Sequence, residues 1–285
     1  MTRTSLSQGI AAPGTSPDSV NVQIDNGRGE RLAGLLDLPN GNAHAWAVFA
    51  HCFTCTKNLR AIRHIIGPLT DAGVGVLRFD FTGLGASQGD FADENFSRNI
   101  DDLVAAADFL ARDYAPPALL VGHSLGGTAV LHAALRLPSV RAVATIGAPA
   151  HPEHVSALLR SSIAQIEATG EAEVNLGGRT FKIKKQFLDD LAQSPTLEGV
   201  RRLRKALLVL HAPTDTVVGV ENASDIFRAA LHPKSFVSLD DADHLLSRDR
   251  DSAYVGGVLA AWASRYLPAL PIDTATAGEA TTIEH

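Results

Sequence analysis

Six short, mostly apolar runs recur along the chain: AWAVFA, GVGVLRFD, ALLVG, VRAVATIG, ALLVLHA and SFVSLD. Strands covered on both faces of a parallel sheet look like this, because neither face meets water. Ahead of them, SVNVQI and RLAGLLDLP flank DNGRGE, a Gly/Asn-rich turn, and read as a hairpin. Helical periodicity separates most of the runs. In NIDDLVAAADFLARD, the residues Ile100, Leu103, Val104, Ala107 and Leu110 share one stripe. TAVLHAALRL follows the fifth strand, and YVGGVLAAWASRYL closes the pattern. A hairpin followed by alternating strands and helices predicts an α/β fold: a mostly parallel eight-stranded sheet with helices on both faces.

One stretch breaks the alternation. Between TIGAPA and RRLRKALLVLHA, EHVSALLRSSIAQIEATG reads as a helix and AEVNLGGRTFKI as a hairpin around Gly177-Gly178. KKQFLDDLAQ then reads as a second helix. A small cap inserted after the sixth strand is expected, and long insertions of this kind often form active-site lids. The expected organisation is a core over 19–148 and 206–268, a cap over 149–205, and flexible ends at 1–18 and 269–285. Both ends are small and polar, with too little apolar surface to offset the entropy of ordering.

Composition narrows the function classes. With 285 residues, 45% of them hydrophobic, the chain suits one large globular domain. Formal net charge is −6 and no long Lys/Arg run occurs, so a nucleic-acid partner has no electrostatic support. Two cysteines cannot make a secreted disulfide framework. The N-terminus lacks the apolar core of a signal peptide, and no apolar run reaches the ~18 residues of a membrane span. A cytoplasmic location is the expectation. Oligomeric state leaves no mark in the pattern.

The chemistry starts at LLVGHSLGGTAVLHAA, where Gly122-His123-Ser124-Leu125-Gly126 forms G-x-S-x-G between a strand and a helix. Such a turn is tight enough to strain the serine backbone, and bulky residues at its glycine positions would clash. It lifts the Ser124 hydroxyl above the sheet edge and aims the Leu125 N–H at a developing oxyanion. A serine nucleophile needs a base and the base an orienter, and in a fold of this kind they come in the chain order Ser, acid, His. Asp215, in HAPTDTVVG, lies just past one strand, and His244, in DDADHLL, past the next. Each also reads more simply, Asp215 as a turn residue or cap and His244 as a solvated loop histidine. Asp240, Asp241 and Asp243 read as solvated charges or caps.

Taken together, HCFT after the third strand, DFTGLGASQG after the fourth, GHSLGG after the fifth, PTD after the seventh and DADH after the eighth make the chain resemble an α/β-hydrolase, from about residue 20 to 268. Within that superfamily it is similar to bacterial hydrolases of the serine aminopeptidase/lysophospholipase-like type. The stretches FAHCFTCTKN, RFDFTGLGASQGDF and HPKSFVSLDDADHLL resemble the hydrolase part of proteins fused to an OsmC-like peroxide-reducing domain. The chain is too short for that second domain, so a stand-alone hydrolase is expected. The resemblance implies a Ser124–His244–Asp215 triad acting on a small-molecule acyl substrate, with no metal or organic cofactor. It further implies that Phe53 N–H is the second oxyanion donor. Cys52 stands where such proteins usually carry Gly.

Ester cleavage is the expected reaction; peptidase and thioesterase activities use the same triad. A thiol-redox or partner module using Cys52 and Cys55 is a further alternative. Cys-x-x-Cys can be a redox dithiol if NLRAIRHIIGPL starts a helix just after Cys55, or the two can be small residues shaping the loop. His51 reads as a structural loop residue bonded to backbone. Lys182, Lys184 and Lys185 give the cap a basic edge that suits either an anionic substrate or a solvated helix start.

Overall fold

The computed structural model describes residues 19–51, 56–150, 159–176 and 179–269. Eight strands form the main sheet: β1 (Ser19–Asp25), β2 (Arg31–Asp37), β3 (Ala45–Ala50), β4 (Val74–Phe79), β5 (Leu119–His123), β6 (Ala142–Ile146), β9 (Ala206–His211) and β10 (Lys234–Ser238). Their order is β1-β2-β4-β3-β5-β6-β9-β10. β2 runs antiparallel to both β1 and β4, and every other pairing is parallel. The apolar runs are strands because helices cover both faces. On β3, Trp46, Val48 and Ala50 enter one core, while Ala45, Ala47 and Phe49 enter the other. Each fully buried Val, Leu or Phe contributes about 1.5–3 kcal/mol of transfer free energy.

Helices α1 (Arg60–Asp71) and α8 (Asp249–Ala263) pack on one face. Helices α2 (Phe96–Asp113), α3 (Leu125–Arg136) and α7 (Glu221–Ala229) pack on the other. Asn95 caps α2 by accepting from Arg98 N–H at 2.8 Å. Two helix starts differ from the sequence expectation. α8 begins at Asp249, where Asp249 and Asp251 complement the helix dipole although they lie outside the apolar stripe. α1 begins at Arg60, two residues after the expected start at Asn58.

Between β6 and β9 the chain leaves the sheet. Its described part holds α4 (Arg160–Thr169), the hairpin β7 (Glu171–Leu176) and β8 (Arg179–Lys184), α5 (Lys185–Ala192) and α6 (Thr196–Arg202). α4 stops at Gly170, whose φ of +86° suits glycine. The Gly177-Gly178 turn lies outside the described residues, as do the ends 1–18 and 270–285. α6 has too few residues to show a period in sequence.

This excursion is seated on a 3₁₀ turn, Phe91–Asp93, and on the start of α2. Phe91 meets the rings of Phe181 and Phe187 at 5.6 and 6.2 Å. Asp190 accepts from Ser97 N–H and Oγ–H at 2.6 and 2.7 Å. Gln186 donates to the Asp93 carbonyl at 3.0 Å. The basic edge read from sequence is neutralised in place: Lys182 pairs with Glu171, Lys184 with Asp93 and Lys185 with Asp189. Among the described residues no helix is long and apolar enough to cross a membrane.

Candidate active site

Parallel register builds the site. Ala50 pairs with Gly122, Gly122 with Thr145, and Thr145 with Val209, so β3, β5, β6 and β9 end close together at one edge. Open α/β sheets place their sites at this carboxyl edge.

Ser124 follows β5 directly and has φ 54°, ψ −128°, a left-handed conformation rare for a side-chain-bearing residue. The glycines around it are required by space. A Cβ on Gly122 would meet the Gly126 carbonyl oxygen at 2.3 Å, and one on Gly126 would meet the Ala50 oxygen at 2.5 Å. Leu125 opens α3, so its N–H has no intrahelical acceptor and sits at the positive end of the helix.

The structure brings together three residues singled out in sequence. Ser124 Oγ lies 3.0 Å from His244 Nε2. His244 Nδ1–H donates to Asp215 Oδ2 at 2.7 Å. The other carboxylate oxygen of Asp215 accepts from Val217 and Val218 N–H at 2.8 and 2.9 Å. Asp215 is thus both a turn cap and the partner of a histidine. Burial opposes its charge, but the hydrogen bonds from His244, Val218 and Val217 outweigh that and hold its pKa below the ordinary carboxylate value. Asp240 accepts from Ser238 Oγ–H and Asp243 from Ser247 N–H, so neither faces His244's ring through these bonds.

Several contributors were not singled out in sequence. Gly147, just past β6 with φ +57°, lies beneath the pair; a Cβ there would approach His244 Nδ1 to 3.3 Å and Asp215 Oδ2 to 3.5 Å. The TIG turn ending the run VRAVATIG is the signal that could have found it. His211, the last residue of β9, donates from Nε2 to the Val218 carbonyl at 2.8 Å and so closes the loop that carries Asp215. Burial lowers its pKa.

A buried charge network lies at the end of β4. Asp80 accepts from Lys57 N–H at 2.8 Å, Lys57 Nζ at 2.7 Å and Ala86 N–H at 3.1 Å. His51 Nε2 lies 3.4 Å from the same carboxylate, so His51 faces a side chain and not only backbone. Arg78 binds the Asp37 carboxylate at 2.7 Å and donates to the Lys57 carbonyl. Cys52, Phe53 and Cys55 lie outside the described residues, between His51 and Lys57. Among the described residues no group of three or more His, Cys, Asp or Glu is placed to hold a metal ion.

Comparison with known proteins gives a consistent affiliation. The model of the family "Serine aminopeptidase, S33" matches residues 42–169. A crystal structure of the esterase domain from a Rhodothermus marinus protein is 54% identical, with a TM-score of 0.73, over 87% of this chain and 99% of that one. The chain belongs to the α/β-hydrolase superfamily. The mitochondrial palmitoyl-protein thioesterase ABHD10 of Rattus norvegicus is 27% identical over 63% of this chain; the match spans 62% of the relative's length. Est1E of Butyrivibrio proteoclasticus, solved with ferulic acid, shares the fold at 22% identity, a TM-score of 0.68, and coverage of 84% of this chain and 97% of that one.

Proposed function

We propose that this α/β hydrolase is a serine hydrolase that cleaves carboxylic esters through an acyl-enzyme. The observation that carries the reading is the continuous line from Ser124 Oγ through His244 to Asp215, at 3.0 and 2.7 Å, starting on a strained strand-to-helix turn. His244 takes the Ser124 proton as Oγ attacks the acyl carbonyl. Asp215 orients the imidazole and stabilises its protonated form. Leu125 N–H donates to the tetrahedral oxyanion, and Phe53 N–H is the second donor by its place in the HCF stretch after β3. His244 then protonates the leaving alcohol, and water, activated by the same histidine, releases the acid. The excursion between β6 and β9 is the cap above this site.

Ester preference is supported by the likeness to the Rhodothermus marinus esterase domain. The thioesterase relative favours a second reading on the same residues, with a thiolate as the leaving group. Rates on matched p-nitrophenyl esters and acyl thioesters separate the two. In either case Ser124→Ala is expected to abolish turnover and labelling by a fluorophosphonate probe. Turnover that survives in Ser124→Ala refutes the assignment.

A further inference from the structure

His123 is the residue between Gly122 and the serine, and its side chain is not needed for the turn itself. The end of β5 nevertheless commits it to one contact. Its Nε2 lies 2.7 Å from the main-chain oxygen of His244. A carbonyl only accepts, so Nε2 carries the proton of this contact. The two rings lie against each other with centroids 5.0 Å apart, tilted by 43°. His123 is buried, as the last residue of a strand inside the sheet.

The loop that receives this bond needs an external anchor. Between β10 and α8 the chain makes a run of turns held mainly from within. Ala242 N–H donates to the Leu239 carbonyl, Leu246 N–H to that of Asp243, and Arg248 to that of Asp241. His244 stands between Asp241 at φ 60° and Leu246 at φ 52°, two side-chain-bearing residues in the left-handed region. Such backbone persists only where its surroundings over-determine it. Leu239 N–H bonds the His211 carbonyl at the foot of the loop. At its crest, the bond from His123 ties the main chain of His244 to the strand that delivers Ser124.

We propose that His123 is a positioning residue for His244: its Nε2–H fixes the carbonyl of the base and thereby sets the reach of His244 Nε2 to Ser124 Oγ. The inference rests on the reading of Ser124 and His244 as nucleophile and base. The side chain requirement is specific. The donor must stand at the distance of Nε2 from the backbone, which glutamine reproduces and asparagine does not.

The test compares His123→Gln, His123→Asn and His123→Leu on a p-nitrophenyl ester, with thermal melting as the check on folding. A misplacement of about 1 Å in a reacting group costs on the order of 10²-fold. His123→Asn and His123→Leu are therefore expected to lose roughly 10- to 100-fold in kcat with KM within about twofold, and to label with a fluorophosphonate correspondingly slowly. His123→Gln is expected to recover most of both rates. If His123→Leu fails to fold, the Gln/Asn pair carries the comparison, since both are polar. Equal rates for Gln and Asn, or a change confined to KM, overturn the positioning role. A wild-type protein that neither turns over esters nor labels at Ser124 overturns the functional reading instead, which keeps the two failures distinct.

Discussion

Replacing Lys57 by methionine probes the charge network at the end of β4. Methionine keeps the backbone N–H and much of the apolar stem and removes the ammonium. The Lys57 and Asp80 side chains are only 7% and 1% exposed, so the Asp80 carboxylate loses its main countercharge in a place water does not reach. Breaking a buried pair from one side costs about 3–5 kcal/mol. Asp80 keeps two backbone N–H donors and faces His51, which points to the lower end, about 3 kcal/mol. At about 2–4 °C per kcal/mol for a domain of this size, the melting temperature should fall by roughly 6–12 °C. The double variant Lys57→Met/Asp80→Asn removes the orphaned charge and should recover more than half of that loss.

Acid adds a second axis. Burial works against the Asp80 charge, but His51, Lys57 and Ala86 together hold its pKa well below the ordinary range. Its stabilising contribution in the wild type is therefore complete above about pH 4 and lost only as pH falls through the depressed folded value. In Lys57→Met that folded value rises toward the unfolded one, so the stability gap to wild type should stay constant down to about pH 4 and narrow below it. Scanning calorimetry between pH 8 and about pH 2.5 measures both effects. A melting shift under about 2 °C, or a double variant no better than the single one, refutes the reasoning.

Asp215→Asn should leave KM nearly unchanged and lower kcat by about 10⁴-fold, because an amide can hold the wrong imidazole tautomer; steady-state kinetics on an ester measures it. Burial, ahead of the neighbouring His244, depresses the pKa of His123 from 6.5 to about 4. Below pH 6.5 the unfolded chain binds a proton there that the folded one refuses, so the protein should lose about 3 kcal/mol of stability from this group by pH 4. His123→Gln should flatten that part of the stability–pH profile, as followed by chemical denaturation, and an unchanged slope would count against it.

The features legible in sequence are those whose signal is local. Five of the six apolar runs become strands buried along their whole length, whereas the edge strands β1 and β10 are partly exposed, β1 being read from its hairpin turn and β10 from its place in the strand–helix alternation. GHSLG carries its own strand, turn and helix. Asp215 and His244 stand out because each follows a strand in the required order. Illegible features depend on partners supplied by distant chain. Asp37, Lys57, Arg78 and Asp80 meet only when β2 pairs antiparallel with β4 and Lys57 reaches the end of β4. Lys184 reads as part of a basic edge until Asp93 arrives from the end of the 3₁₀ turn Phe91–Asp93. His123 looks like a variable position within a motif, because the carbonyl it binds lies 121 positions away.

That last separation bears on how the protein comes into being. Ser124 and His244 are 120 positions apart, and the edge between them is assembled from four parallel strands in register. Parallel pairing closes long loops before any contact rewards it, and is slow for that reason. No early helix or hairpin can contain both residues. In a refolding chain, hydrolysis should be the last property to return, after helicity and compaction, which makes the enzyme's own turnover a clock for the completed sheet.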